Sequence, residues 1–130
     1  MKLVILGSIG LDDIETPVAS GSDLLGGAAA HAGIAAGFHL PPTPRKPPDI
    51  GLVSAVGNDF STEAQRTLED CGLNLAGVVR KDGSTFRWSG RYEGPMDDVT
   101  TISTEVNVLE DYIPEIPASW RDPDVLFCAN

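Results

Sequence analysis

The sequence predicts an α/β fold built on a parallel sheet, and three observations carry that prediction. Its apolar stretches "KLVILGSI", "DIGLVSAVG", "LAGVVR" and "DVLFCAN" are short, nearly continuous runs, the pattern of strands buried on both faces. Segments of helical character separate the first three, giving strand, helix, strand, helix, strand, the order that places strands parallel with helices packed on them. Two polar, alternating stretches interrupt this rhythm and read as a small second sheet attached to the main layer.

The elements follow in order. "KLVILGSI" is the first core strand, and "DDIETPVASGSDLLGG" is an excursion of short extended pieces broken by Pro17 and Gly21. Residues 27–39 form a helix. "LPPTPRKPP" carries five prolines in nine residues, so it is neither helix nor central strand and is expected as an exposed loop. "DIGLVSAVG" is the second core strand. "DFSTEAQRTLEDCG" is the second helix, with Ser61 or Asp59 as its N-cap and Gly72 as its stop. "LAGVVR" is a third core strand, "STFRWSGRYE" alternates as a half-exposed strand does, "DVTTISTEVNVL" is another extended stretch, and "DVLFCAN" is a fourth apolar strand.

Composition bounds the function. The chain has 130 residues, 42% of them hydrophobic, with a mean hydropathy of −0.02, enough to bury the core of one domain. A net charge of −10 argues against nucleic acid or an anionic membrane as a partner, since both need a cationic face. The imbalance is local: nine acidic residues between Glu93 and Asp124 face only Arg121, whereas Arg80, Lys81, Arg87 and Arg91 cluster upstream. Most of those acids read as a solvated surface. Cys71 and Cys128 make no metal signature, and a reduced, cytoplasmic setting is expected. "MKLVILG" is too short for a signal peptide, and no stretch approaches the ~20 apolar residues of a membrane span.

Chemistry-bearing residues gather near the amino terminus. "VILGSIGLDD" puts Gly7, Gly10, Asp12 and Asp13 at the carboxyl end of strand one, the edge where open α/β sheets bind ligands. The spacing is not that of a dinucleotide fingerprint, and the G-x-x-x-x-G-K-[ST] phosphate loop is absent. Asp12 and Asp13 are adjacent, so in an extended segment their side chains point to opposite sides. "GGAAAHAGIAAG", residues 26–37, has ten glycines or alanines among its twelve positions. One explanation is structural: Gly33 and Gly37 let the helix press against the sheet, and His31 is a tolerated polar residue. The other is chemical: Gly26 and Gly27 let backbone N–H groups approach a ligand, with His31 one turn further in.

Taken together, "GSIGLDDI", "GGAAAHAGIAAG", "VSAVGNDF" and "LEDCGLNLAGVVR" resemble, in order and spacing, the N-terminal half of the ribokinase-like (PfkB) carbohydrate kinases. The resemblance implies a ribokinase-like three-layer parallel sheet with a small β lid, truncated to its N-terminal portion over residues 1–130. The lid corresponds to parts of residues 11–25 and 84–104. It implies sugar hydroxyls bound at Asp12, backbone contacts at Gly26 and Gly27, and a further contact at His31. Gly10 and His31 depart from the family pattern, which has a polar residue at the first position and Asn at the second, although a His can still donate or accept at that distance. Both explanations of the glycine-rich helix then hold, at different ends of one helix.

The resemblance further implies an ATP-dependent kinase, with Mg2+, acting on a sugar or nucleoside hydroxyl. The family's second signature, G-A-G-D, supplies an anion hole and a general base, and it does not occur in these residues. The chain is therefore expected to carry the acceptor-binding half, to bind neither ATP nor Mg2+ alone, and to be inactive by itself. In the lid, Phe86, Trp88 and Gly90 alternate with Arg87, Ser89 and Arg91. The apolar face is expected to cover the pocket or a partner subunit's lid in a homodimer, and the cationic face to meet an anionic ligand. The alternatives are a non-catalytic sugar-binding or dimerising module and, third, a dinucleotide-binding domain.

Overall fold

The computed structural model describes residues 1–40 and 49–129; most of the proline-rich stretch, residues 41–48, lies outside the described residues. In chain order the elements are β1 (Leu3–Leu6), β2 (Gly10–Glu15), β3 (Ser20–Gly26), α1 (Ala28–His39), β4 (Ile50–Val56), α2 (Thr62–Asp70), β5 (Leu73–Arg80), β6 (Phe86–Glu93), β7 (Asp98–Glu105) and β8 (Val125–Cys128). Short 3-10 turns at Asn107–Leu109 and Ala118–Trp120 lie between β7 and β8.

The four apolar runs become one sheet in the order β5-β4-β1-β8, parallel throughout. β4 sits inside it and is buried at all seven residues, which is why its sequence shows no polar alternation. On one face Ile5, Ile50 and Leu52 pack with Ala29 and Ala30 of α1 and Leu68 of α2. On the other, Val4 and Val53 pack against Trp120. The indole packs against Gly51 and Gly77: a Cβ at Gly51 would strike the ring, and one at Gly77 would strike the ring and the Leu52 carbonyl. The molecule is thus layered: helices, parallel sheet, and an irregular layer anchored by one tryptophan.

Helix α1 is small because it packs closely, as its composition predicts. A Cβ at Gly33 would meet Leu52 and Leu73, and one at Gly37 would collide with the Cys71 carbonyl at the end of α2. Helix α2 is held at its start by Ser61, whose Oγ accepts from the Ala64 N–H at 3.1 Å, and it ends at Gly72 with φ 81°. Ser61 is therefore the cap, and the alternative expectation that Asp59 caps this helix is corrected.

The two polar interruptions form a second sheet, order β3-β2-β6-β7, in which β2 and β6 run parallel and the two hairpins are antiparallel. Gly21 does not break the first hairpin. It lies within β3 opposite Ile14, and the chain reverses at Thr16–Ala19, where Thr16 Oγ1 accepts from the Ala19 N–H at 3.0 Å. "DVTTISTEVNVL" is not extended throughout: β7 stops at Glu105, and Asn107 takes a positive φ of 51°. Its side-chain amide donates to the Thr85 carbonyl at 2.9 Å, a bond across the start of β6 that the local pattern does not reveal.

Candidate functional site

The carboxyl end of β1 leads through Gly7, Ser8 and Ile9 into β2, and the β2–β3 hairpin returns the chain to the start of α1. Gly10 pairs with Gly26 and Asp12 with Leu24, so the hairpin brings the Asp12 and glycine-pair positions together. The Asp12 carboxylate fills the space that a Gly26 Cβ would need. Gly27 adopts φ 97°, and a Cβ there would run into the backbone of Ser8, Ile9 and Gly10. The backbone's own close approach thus requires glycine at 27, while Gly26 leaves the room that the Asp12 side chain occupies.

Ser8 was not singled out by sequence reasoning, and it organises this corner. The Ala28 N–H donates to its Oγ at 3.0 Å and the Ala29 N–H to its carbonyl at 2.9 Å. It satisfies two amides at a helix start whose own cap residue, Gly27, has no side chain to do so. Its one sequence signal is a hydroxyl residue between Gly7 and Gly10 at the end of an apolar strand.

His31 follows in the first turn of α1, exposed, its N–H donating to the Gly27 carbonyl at 3.1 Å. Burial raises the Asp12 carboxyl above its ordinary pKa; the nearby His31 opposes that rise and the Asp13 charge adds to it. Asp12, Gly26 and His31 therefore form one polar corner with Gly10 and Gly27 beside it.

Asp13 points the other way, as adjacency in a strand demands. It accepts from the Asp23 N–H at 3.0 Å and from Arg87 Nη1 at 3.2 Å, and that amide, with Arg87, holds its carboxyl below the usual range. Arg87 Nη2 also donates to Asp23 at 2.6 Å, and Arg91 Nε to Glu15 at 2.9 Å. The cationic face expected on β6 is therefore neutralised by carboxylates of β2 and β3, a correction that only cross-strand register could supply. Trp88 pairs in register with Asp12 and shares its side of the sheet; the ring folds over Gly90 and Nε1 donates to Thr101 Oγ1 at 3.3 Å.

Asp59, freed from capping, reaches Thr85, the residue just before β6, instead. It accepts from the Thr85 N–H at 2.8 Å and the Thr85 hydroxyl at 2.6 Å, while that hydroxyl accepts from the Gly57 N–H at 2.9 Å. Burial alone would raise the Asp59 carboxyl; the two Thr85 bonds overcome that and hold it low.

A cavity of about 490 Å3 opens between the carboxyl ends of β1 and β8, lined by Leu6, Gly7, Ser8, Tyr112, Cys128 and Ala129 among others. Strand order moves outward from β1 to β4 and β5, then returns to β8 on the other side of β1. The cavity therefore lies where the winding reverses, the place where open α/β sheets receive ligands. Among the described residues no group of three or more His, Cys, Asp or Glu side chains could hold a metal ion.

This layering, with the β2/β3/β6/β7 sheet beside it, defines a ribokinase-like α/β fold covering part of the length of ribokinase chains. The chain is similar to ribokinase from Cryptococcus neoformans var. grubii serotype A in complex with ADP, with TM-score 0.74 and 16% identity over 98% of this chain and 40% of that one. It is similar to Burkholderia thailandensis nucleoside kinase in complex with inosine (TM-score 0.60, 16% identity, 82% of this chain and 37% of that one). It is also similar to the nucleoside kinase of Methanocaldococcus jannaschii, an archaeal member of the ribokinase family (TM-score 0.55, 20% identity, 82% and 38%). This chain spans 40% or less of the length of each of these three. No protein-family model and no curated protein matches the sequence. Among the described residues no helix is long and apolar enough to cross a membrane.

Proposed function

We propose that residues 1–130 form the acceptor-binding part of a sugar or nucleoside kinase of the ribokinase-like (PfkB) type, acting in the cytoplasm. The observation that carries this reading is the Asp12 carboxylate, half-buried on β2, seated against Gly26 and close to His31. A carboxylate accepts hydrogen bonds from two hydroxyls at once, which suits a vicinal diol. His31 supplies a second donor or acceptor, and the Gly10, Gly26 and Gly27 backbone completes the near wall. The second sheet acts as a lid, with the Trp88 side over the acceptor. ATP and Mg2+ would be the co-substrate and cofactor of the complete phosphotransfer, bringing the phosphoryl group and the charge to balance it. This chain's own residues bind and orient the acceptor.

A non-catalytic or dimerising module is the second reading, and β7 favours it. β7 is exposed along its whole length, with Val99 and Ile102 more than half exposed, a surface suited to a second lid. Isothermal titration with ribose, inosine, ATP and NAD separates the readings. Heat from ribose or inosine that disappears in Asp12→Ala supports the acceptor site. Binding of NAD alone would replace it with a dinucleotide fold, and self-association without ligand binding would favour the dimerising module.

A further inference from the structure

We propose that Arg87 is the positioning residue of this site: it grips Asp13 and Asp23 on one side of the second sheet and thereby holds Asp12 and Trp88 in register on the other. The consequence for ligand binding rests on the acceptor-site reading above; the register itself does not.

Strands β2 and β6 are parallel and far apart in sequence, so no hairpin turn sets their alignment. The ladders on either side give little help. β2–β3 shifts register between Asp12 and Ile14, and β6–β7 shifts between Ser89 and Gly90, both at the level of the site. Side chains must therefore fix the pairing. Leu11 pairs with Arg87 and Asp12 with Trp88, so each strand carries an anchor and a ligand-side residue on alternate faces. A slip of one residue would exchange the two faces.

Arg87 is built for this task. Its Nη1 lies 3.2 Å from both Asp13 oxygens, its Nη2 lies 2.6 Å from Asp23, and Asp59 stands 4.0 Å away. Asp23 adopts φ 55° within β3, and its N–H closes the triad on Asp13. The Arg87 side chain is 23% exposed and that of Asp13 34%, so this pair is less screened than an ordinary surface pair, while Asp23 on the other side is 66% exposed. Asp59 lies in the loop between β4 and α2 and is locked to Thr85, two residues before Arg87. One guanidinium thus faces three carboxylates from β2, β3 and the β4–α2 loop. Its removal leaves those charges opposed and the lid without a fixed register. A lysine keeps the charge and loses the planar fork that spans two partners.

The test compares Arg87→Gln and Arg87→Lys with the unaltered 130-residue chain. It reads ribose and inosine affinity, together with the NMR resonances of the Asp12 amide and the Trp88 indole N–H. Arg87→Gln is expected to move both resonances and to weaken binding roughly tenfold. Arg87→Lys should fall between, and Arg87→Gln combined with Asp13→Asn should lose no more than Arg87→Gln alone. A folded Arg87→Gln chain whose unfolding midpoint drops while both resonances stay in place would overturn the proposal, leaving Arg87 a merely structural residue. If Arg87→Gln does not fold, Arg87→Lys and Asp23→Asn are read in the same way. If the unaltered chain binds neither ribose nor inosine, the acceptor reading fails by itself, and the two resonances still decide the role of Arg87.

Discussion

Asp12 and Asp13 are neighbours in one strand, yet their carboxyls are displaced in opposite directions, and this gives opposite contributions to stability with pH. Burial raises Asp12, so the folded state holds its proton more tightly than the unfolded chain does. Its contribution is therefore fully present below the ordinary carboxylate pKa and is lost as pH rises through the raised value. Asp13, held low first by the Asp23 amide and then by Arg87, contributes above the ordinary value and loses that contribution as pH falls through the lowered one. Asp12→Asn should accordingly raise the urea midpoint at pH 7, whereas Asp13→Asn should lower it, measured by urea unfolding from pH 3 to pH 7. The same Asp12→Asn change, or Asp12→Ala, should cost acceptor binding ~2–4 kcal/mol, because charged hydrogen bonds to hydroxyls are lost. A residue that weakens the fold at neutral pH and strengthens ligand binding is what a binding site requires, and an ornamental surface acid would show neither effect.

At the level of elements, the start of α1 depends on two features that the helix itself does not supply. Gly27→Ala should destabilise the chain by at least ~2 kcal/mol, since it forces a Cβ into the left-handed region and against the Ser8–Gly10 backbone. Ser8→Ala should cost about 1 kcal/mol as a lost cap, leaving the Ala29 bond to the Ser8 carbonyl intact. Chemical denaturation followed by circular dichroism checks both values. The elements themselves were legible wherever the signal is local. Apolar runs marked the four core strands, Ser61 and Gly72 bounded α2, and the spacing of Gly33 and Gly37 foretold close packing. The corner around Asp12 was legible for the same reason, since residues 10–31 are brought together by a single hairpin. What stayed hidden depends on contacts distant in sequence. Asp59 looks like a cap until Thr85 arrives from 26 positions away, and the cationic face of β6 looks free until β2 and β3 lie beside it. Register between strands joined by no turn has no local signature.

For the molecule as a whole, among the described residues the main sheet ends at β8, where Val125, Leu126 and Phe127 are each about half exposed on a strand paired only to β1. On the acceptor-site reading Asp12, Gly27 and His31 hold an acceptor, while the G-A-G-D signature that would supply an anion hole and a general base does not occur in these residues. Asp59, the tempting substitute in "VGNDF", is engaged by Thr85. Purified residues 1–130 are therefore expected to turn over no ATP with ribose or inosine above a mock preparation, and turnover would contradict this division of labour. The exposed edge has a second consequence. A strand with one open edge and apolar side chains is a template for pairing with another copy, opposed here by the net charge of −10. Salt screens that repulsion while leaving the apolar contact and strand pairing intact, the Debye length shrinking from about 10 Å at 0.1 M to about 3 Å at 1 M. Sedimentation velocity should therefore show more self-association as salt rises, and Leu126→Lys should reduce it at every salt concentration by placing a charge on the edge. A chain that stays monomeric in ~1 M salt, or a Leu126→Lys variant that associates as strongly as the original, would remove β8 from the contact and direct the search to β7.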